Sequence, residues 1–360
     1  MAARAAAAAV VAAAGRSSRM GAFKPLLPLG NATILQRVLD TLKSGGAEDL
    51  AVITGKNAGL IEAALRGSAV QIIHNQDYET TDMFYSAMLG MPLLAKQAGA
   101  VFFTPVDVPL FSADTVERLL AELRRRGAGI AIPCFNENPG HPVLFSSAAV
   151  AELAGYTGGG GLRGAIAAYR GPKALLPVDD PGVVFDTDTP AEYRLIQLMA
   201  ELNMPGPVKE HCLLVSRLAH AMAAALAAQG LALHLRDIET AALLHDMRRT
   251  ESGHAEAGAR VLRELGLEGP AAIVASHMKL EERDLDAVNE RVIVYLADKM
   301  ARGARPVTLE ARFAKKLASL PTEAGKAAVR DNYQRALAAK RRIEGVLGQD
   351  LYALLKIPGP

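Results

Sequence analysis

At 360 residues, the chain is longer than one hydrophobic core usually serves, and its 50% hydrophobic and 22% charged residues exclude disorder and call for no bilayer. Its formal net charge of +2 excludes a whole-molecule nucleic-acid binder driven by phosphate neutralisation, so any anion site is local. The two cysteines, Cys134 and Cys212, lie outside any CxxC spacing, which speaks against a disulfide framework or structural zinc and for a reducing cytoplasm.

The alanine-rich start, Ala5 to Ala14, follows Arg4 and has the apolar character of a secretion signal. No small-residue cleavage site follows it, and it leads straight into a glycine-rich turn, so it reads as a strand. Ala8–Ala14, Leu50–Thr54, Gln71–His74, Val101–Thr104, Gly129–Pro133, Val143–Phe145 and Lys173–Val178 are predicted strands. Helical periodicity marks Ile34–Ser44, Leu60–Leu65, Ser86–Lys96, Ala113–Arg126 behind a Ser112 cap, and Ala191–Leu202. The alternation predicts an α/β sheet. Pro205-Gly206-Pro207 then interrupts the chain, and beyond it strand signals nearly vanish. Helices are predicted over Val208–Gln229, Asp237–Met247, Gly253–Leu265, Pro270–Ser276, Asp286–Ala304 and Glu323–Leu347. The expected organisation is an α/β domain over residues 1–204 and an all-α domain over 208–360.

The stretch Ala13-Ala14-Gly15-Arg16-Ser17-Ser18-Arg19-Met20-Gly21-Ala22-Phe23-Lys24 follows the first strand. Gly15 permits a tight turn that presents N–H groups to phosphate oxygens, and Arg16, Arg19 and Lys24 supply the charge a triphosphate requires. It is neither a Walker loop nor a dinucleotide G-x-G-x-x-G. Asp107, in Thr104-Pro105-Val106-Asp107-Val108-Pro109, falls at a strand's carboxyl end, where open α/β sheets build their sites. Asp188, in Asp186-Thr187-Asp188-Thr189-Pro190, precedes a helix and reads locally either as a Mg²⁺ ligand or as a helix cap. Asp186 reads as structural.

The A-A-G-x-x-x-R-M-G-x-x-K loop resembles the signature of the molybdopterin nucleotidyltransferase family and its sugar-nucleotide pyrophosphorylase relatives, and the resemblance covers nearly all of residues 1–200. It implies a Rossmann-like nucleotidyltransferase. In that family the loop grips the triphosphate, so Ala13, Ala14, Gly15, Arg16, Arg19 and Lys24 become nucleotide-binding residues, and Arg19, Lys24 and Asp107 catalytic ones. The family's D-x-P and D-x-D-T-P elements match Asp107 and Asp188, which makes these the implied Mg²⁺ ligands. Asn75 and Ser86 are expected near the base and ribose, and Gly140-His141-Pro142 near the acceptor, although a lone histidine in a turn is more often structural. The Ala13-Ala14-Gly15 turn is closer to the cytidylyl than the guanylyl branch, so CTP is the expected triphosphate. Two departures put the acceptor in doubt: Gly158-Gly159-Gly160-Gly161 stands where a Gly-Asp pair is usual, and Asp82-Met83 replaces a Gly-Met or Ser-Met step.

Six of the eight histidines follow the linker. His211, the adjacent His245-Asp246, and Asp298 in Tyr295-Leu296-Ala297-Asp298-Lys299 give the order H, HD, D, which resembles the HD phosphohydrolase superfamily over roughly Val208 to Gly303. His254 and His277 match members that hold a second ion. The resemblance implies one or two transition-metal ions, among Fe, Mn, Co, Ni and Zn, which would activate water against a phosphoester. Any one of these residues alone reads as a buried histidine or as an aspartate paired with a lysine such as Lys299. His220 and His234 fall outside the pattern and read as surface groups, and Lys279, Arg283 and Lys299 as solvated charges that could also meet phosphate. The basic stretch with Arg312, Lys315, Lys316, Lys340, Arg341 and Arg342 lacks interleaved aromatics, so it reads as solvated amphipathic helix and not a nucleic-acid face.

The expected partners are a nucleoside triphosphate and a phosphorylated small-molecule acceptor such as molybdopterin, with a molybdoenzyme as client and neither nucleic acid nor membrane. Two other readings stay open: a sugar, alditol or phosphonate acceptor for the first half, and a nucleotide-sensing module without turnover for the second.

Overall fold

A computed structural model describes residues 7–15 and 20–358. The chain divides into two compact units, Met1–Glu201 and Leu202–Pro360.

The first unit is built on a mixed, mainly parallel sheet. Its strands are β1 (Ala7–Ala13), β2 (Ala47–Thr54), β3 (Gln71–His74), β4 (Ala100–Pro105), β5 (Ile130–Phe135), β6 (Val143–Ser146) and β7 (Lys173–Pro177). They lie in the order β7-β5-β6-β4-β1-β2-β3, with a two-residue strand, Asn138–Pro139, on β5. β1 pairs parallel with β2 and β4, whereas β6 runs antiparallel between β4 and β5. The near-continuous apolar run of β1 is what a central strand covered on both faces requires, and Val10 and Val11 are fully buried. Helices α1 (Ile34–Ser44), α2 (Ala58–Ala64), α3 (Met83–Leu94), α4 (Ala113–Arg126), α5 (Ser147–Leu153), α6 (Gly161–Ala168) and α7 (Pro190–Glu201) complete this unit. Ala87, Met91 and Leu94 of α3 join Val10, Ile53 and Phe103 of the sheet in one core cluster.

The second unit is helical: α8 (Gly206–Ala228), α9 (Leu235–Leu244), α10 (His254–Glu264), α11 (Glu268–Ser276), α12 (Glu290–Lys299), α13 (Leu309–Ala318), α14 (Glu323–Leu347) and the short α15 (Leu351–Leu354). α8 is long and apolar enough to cross a membrane by length and composition, yet Val215, Ala219, Met222, Ala223 and Leu226 along it are buried in this unit.

Several boundaries differ from those predicted. α3 begins at Met83 and not Ser86, because the Asp82 side chain accepts the Tyr85 N–H as an N-cap. The helix expected over Asp286–Ala304 is only Glu290–Lys299, opened by the Asn289 cap. It is preceded by a one-turn 3₁₀ segment, Glu282–Leu285, and followed by a hairpin pairing Ala301–Arg302 with Arg305–Pro306, where Gly303 takes φ +57°. α9 stops at Leu244, so His245 is its C-cap and Asp246 lies in the turn beyond. α5, α6 and α15 are not among the predicted elements, and α13 is anticipated only as part of a basic amphipathic stretch without bounds.

Candidate functional site

In the first unit β1 ends at Ala13, and Ala13 and Ala14 are buried while Gly15 is exposed. Arg16 and Arg19, both expected on the triphosphate, lie outside the described residues. A cleft of about 330 Å³ opens beside this turn, lined in part by Ala13, Ala14, Gly15, Lys24, Ser86 and Asp107. That volume is at the low end of small-molecule sites, roughly 300 Å³ upward. Gly55 shapes its edge, because a Cβ there would stand 2.8 Å from both the Ala14 carbonyl oxygen and the Tyr78 Cβ.

Lys24 heads a one-turn 3₁₀ segment, Lys24–Leu26, and is 7% exposed. Its Nζ donates to Asp188 Oδ1 at 3.0 Å and to Asp107 Oδ2 at 3.3 Å. Two carboxylates separated by 81 positions in the chain thus converge on one cation. Asp188 is not the cap of α7: the Thr189 hydroxyl accepts the Glu192 N–H at 3.2 Å, and the Glu192 carboxylate accepts the Thr189 N–H at 2.7 Å. This reciprocal box leaves the Asp188 carboxylate for Lys24. The buried Thr187 hydroxyl donates to the Asp107 carbonyl at 3.4 Å and ties the two acidic segments together. An all-oxygen pair already holding a positive group fits Mg²⁺, which takes one or two protein carboxylates and completes its shell from phosphate and water.

Asn75 and Ser86 occupy different places. Ser86 lines the cleft; Asn75, 1% exposed, does not, and its amide is spent on Thr81 Oγ1 at 3.0 Å, Ser86 Oγ at 3.1 Å and the Asp77 N–H at 2.9 Å. Asn75 therefore sets the turn before α3 instead of offering its amide to the cleft. His141 packs edge-on against Phe103, 6.4 Å between ring centroids, and burial lowers its pKa, so it stays neutral.

The second unit brings six predicted residues together. His211 comes from α8, His245-Asp246 from the turn after α9, His254 from the start of α10, His277 from the end of α11 and Asp298 from α12. One ligand atom each from His211, His245 and Asp246 lie within 4.8 Å of one another, and so do one each from Asp246, His254 and His277. Asp246 belongs to both groups. His245 Nδ1 lies 2.8 Å from the Ala242 carbonyl and His277 Nδ1 2.7 Å from that of Val274, contacts that fix each ring with Nε2 turned inward. His245 Nε2, Asp246 Oδ1, His254 Nε2 and His277 Nε2 are buried with no hydrogen-bond partner. Four convergent orphaned donor atoms are what a divalent transition metal satisfies, and mixed imidazole and carboxylate suits Mn, Fe, Co, Ni or Zn. Asp298 stands beside the first group, its Oδ1 3.0 Å from His211 Nε2 and 3.9 Å from His245 Nε2, while its Oδ2 accepts from Lys299 at 2.6 Å.

The electrostatics suit ligation. Burial, then the neighbouring His277, pulls the His245 pKa down to about 4, so its ring is neutral at pH 7. Burial opposes the charge of Asp246, but His277, His245 and Arg249 outweigh it and hold the carboxyl below the ordinary range. Asp298 is likewise buried, and Lys299, His211 and His245 keep it ionised. Cys212, beside His245, is pushed up to about 12 chiefly by burial and stays an inert thiol.

Three cations border this site: Arg249, which the sequence reading did not single out, and Arg312 and Lys316, read there as solvated, of which Arg312 is half-buried and Lys316 is exposed. Arg249 pairs with Asp246, Arg312 is 3.9 Å from Asp298 Oδ1, and Lys316 lines the same cavity. Arg249, one helical turn beyond Asp246, carried the only local signal. Lys299 is buried at the site, not solvated, whereas Lys279 and Arg283 are exposed and pair with Asp331 and Glu281. His234 is exposed and His220 half-buried.

Residues 9–180 match the MobA-like NTP transferase domain and residues 208–315 the HD domain. The chain is similar to the molybdenum cofactor cytidylyltransferase of Escherichia coli, 29% identical over 184 residues, which cover 51% of this chain and 92% of that protein. The bifunctional protein GlmU of Francisella tularensis subsp. novicida is 28% identical over 149 residues, 40% of this chain and 32% of GlmU, so the chain spans about a third of that relative. A solved nucleotidyl transferase from Methanothermobacter superposes with a TM-score of 0.47 at 22% identity, covering 54% of this chain and 97% of that one.

Proposed function

The chain joins a MobA-like NTP transferase domain, residues 9–180, to an HD domain, residues 208–315, and from that premise we propose a bifunctional enzyme. Residues 1–204 transfer a nucleotidyl group, CMP from CTP, to a phosphorylated acceptor of the molybdopterin kind, and residues 208–360 hydrolyse a phosphoester. The convergence of Asp107 and Asp188 on Lys24 beside the Ala13–Gly15 turn carries the first half of this reading. An acceptor phosphate oxygen bonds to the α-phosphorus, the α–β bridging P–O bond breaks, and pyrophosphate leaves. The nucleophile is already anionic, so the site needs charge neutralisation and alignment more than a general base. Asp107 and Asp188 would hold Mg²⁺, which when bound neutralises the phosphates; Lys24 donates to a phosphate oxygen, and the turn at Gly15 presents its N–H groups. The sequence resemblance assigns further positive charge to Arg16 and Arg19. A molybdoenzyme that receives the dinucleotide is the client this implies.

The four orphaned buried donors support a metal-loaded HD unit, and the complete ligand set favours turnover over a nucleotide-sensing module that binds without turnover. His211, His245, Asp246 and Asp298 would hold one ion, and Asp246, His254 and His277 a second. Such ions supply an activated water and charge stabilisation.

The test is pyrophosphate release from the full chain with Mg²⁺, each nucleoside triphosphate and a panel of phosphorylated acceptors. Release with CTP in preference to GTP is expected. A GTP preference removes the cytidylyl assignment, and no release with any acceptor removes nucleotidyl transfer.

A further inference from the structure

The cavity that contains Asp246, His254 and His277 is also lined by Arg249, Lys299, Arg312 and Lys316, four cations against the carboxylates Asp246 and Asp298. Two of the four are matched locally, Lys299 by Asp298 at 2.6 Å and Arg249 by Asp246. Arg312 donates through Nη1 to the Ala301 carbonyl, its Nη2 lies 3.9 Å from Asp298 Oδ1, and among the described residues Lys316 makes no ion pair. Both belong to α13, four positions apart and so on one helix face, and the helix is fastened by Leu309, fully buried, and Phe313, 3% exposed. Burial first, then the neighbouring Lys299 and Arg312, lower the Lys316 pKa, with Asp298 opposing them.

Space adds a second constraint. This cavity is only about 110 Å³. A second one of about 270 Å³ shares Asp246, Arg249 and Arg312 with it and adds the apolar edge of Pro207 and Val208. The small cationic cavity has room for a phosphoryl group and the larger one for a single organic arm. A diester would bring two arms and only one negative charge.

We propose that Arg312 and Lys316 form the phosphate-recognising wall of the HD site, and that its substrate is a phosphomonoester dianion. The proposal rests on the phosphohydrolase reading above for its reaction, though not for the binding itself. The Arg312 guanidinium, steadied by its Nη1 bond to the Ala301 carbonyl, turns its remaining N–H groups to the phosphoryl oxygens, and Lys316 adds positive charge from the exposed rim. In the reaction the oxygen of water bonds to phosphorus, the ester P–O bond breaks, and the departing alkoxide takes the proton that water loses, giving an alcohol and inorganic phosphate.

The experiment uses the full chain, with calorimetric titration of inorganic phosphate, elemental metal analysis, and hydrolysis of p-nitrophenyl phosphate against bis(p-nitrophenyl) phosphate with Mn²⁺. Wild type is expected to bind phosphate and to hydrolyse the monoester at least about tenfold faster than the diester. Arg312→Gln and Lys316→Gln should each weaken phosphate binding on the order of tenfold and raise KM more than they lower kcat, with metal content unchanged. Lys315→Gln, next to Lys316 on α13 but outside the cavity lining, should change nothing. Should Arg312→Gln fail to fold, Lys316→Gln at the rim still decides. Phosphate binding unaffected by both variants, or a preference for the diester, overturns the proposal. A chain without metal or hydrolysis that still binds phosphate through Arg312 and Lys316 sinks the hydrolase reading and leaves the wall standing.

Discussion

Lys24 shows how one residue can be read for charge and misread for partner. The sequence gives it a triphosphate to neutralise; the fold gives it Asp107 and Asp188 at 3.3 and 3.0 Å. Lys24→Ala should therefore have two opposite effects. Pyrophosphate release falls about a hundredfold or more, because a charge contact to the transition state is lost. Mn²⁺ binding to the nucleotide-free first unit tightens, because the ammonium no longer competes for the two carboxylates; electron paramagnetic resonance measures it. Wild-type pyrophosphate release in this variant would remove Lys24 from the mechanism. His245 sets the pH behaviour of the other unit. Its folded pKa of about 4 lies below the ordinary ~6.5, so between those values the unfolded chain takes up a proton that the folded chain refuses. Metal-free stability is thus present above about pH 6.5 and is lost as pH falls toward 4. The burial that depresses this pKa also shields the ligand from proton competition, and His254 is lowered by the same cause. Acid release of metal should have its midpoint below pH 6.5, a lower window than free imidazole would set; elemental analysis after dialysis from pH 7 to 4 that finds release complete by pH 6.5 contradicts this.

Helix ends place the functional atoms at the scale of elements. Thr189, not Asp188, closes α7, and this division of labour is testable. Thr189→Ala should cost about 1 kcal/mol in the melting of the first unit and loosen Asp188 along with the helix start. Asp188→Asn should leave melting nearly unchanged while weakening Mg²⁺ binding. A loss of stability in Asp188→Asn as large as in Thr189→Ala would return Asp188 to a capping role. In the second unit α9 gives up its last turn, so that His245 caps it and Asp246 swings into the turn where it can face two histidine groups at once. Adjacent residues on a continuing helix diverge by about 100°, which would have aimed them apart.

The whole molecule consists of two units that each enclose their own chemistry, and we propose that the domains at 1–204 and 208–360 fold and act separately. Calorimetry of the full chain should show two transitions, of which a chelator lowers only the one belonging to the HD unit, since a ligand that binds only the native state stabilises only that state. Residues 208–360 expressed alone should retain metal. A single cooperative transition that shifts as one with chelator would refute independent domains.

Periodicity and punctuation were enough for the α/β-then-helical order: β1's apolar run, the Pro205-Gly206-Pro207 break and the alternation before it are local facts of the chain. The six histidine and aspartate residues that converge in the second unit could be singled out because their order resembles a known pattern. What the sequence could not carry is mutual distance. That Asp107 and Asp188 meet at Lys24, that Asn75 spends its amide on Thr81 and Ser86, and that Arg312 and the exposed Lys316 border the cavity of Asp246 follow from strands and helices packed far apart in sequence. The sequence gives α13 only as part of a basic, solvated amphipathic stretch; its buried Leu309 and Phe313 decide its face. Local propensity fixes where an element starts and stops; only packing decides which side of it is inside, and with that which charges meet.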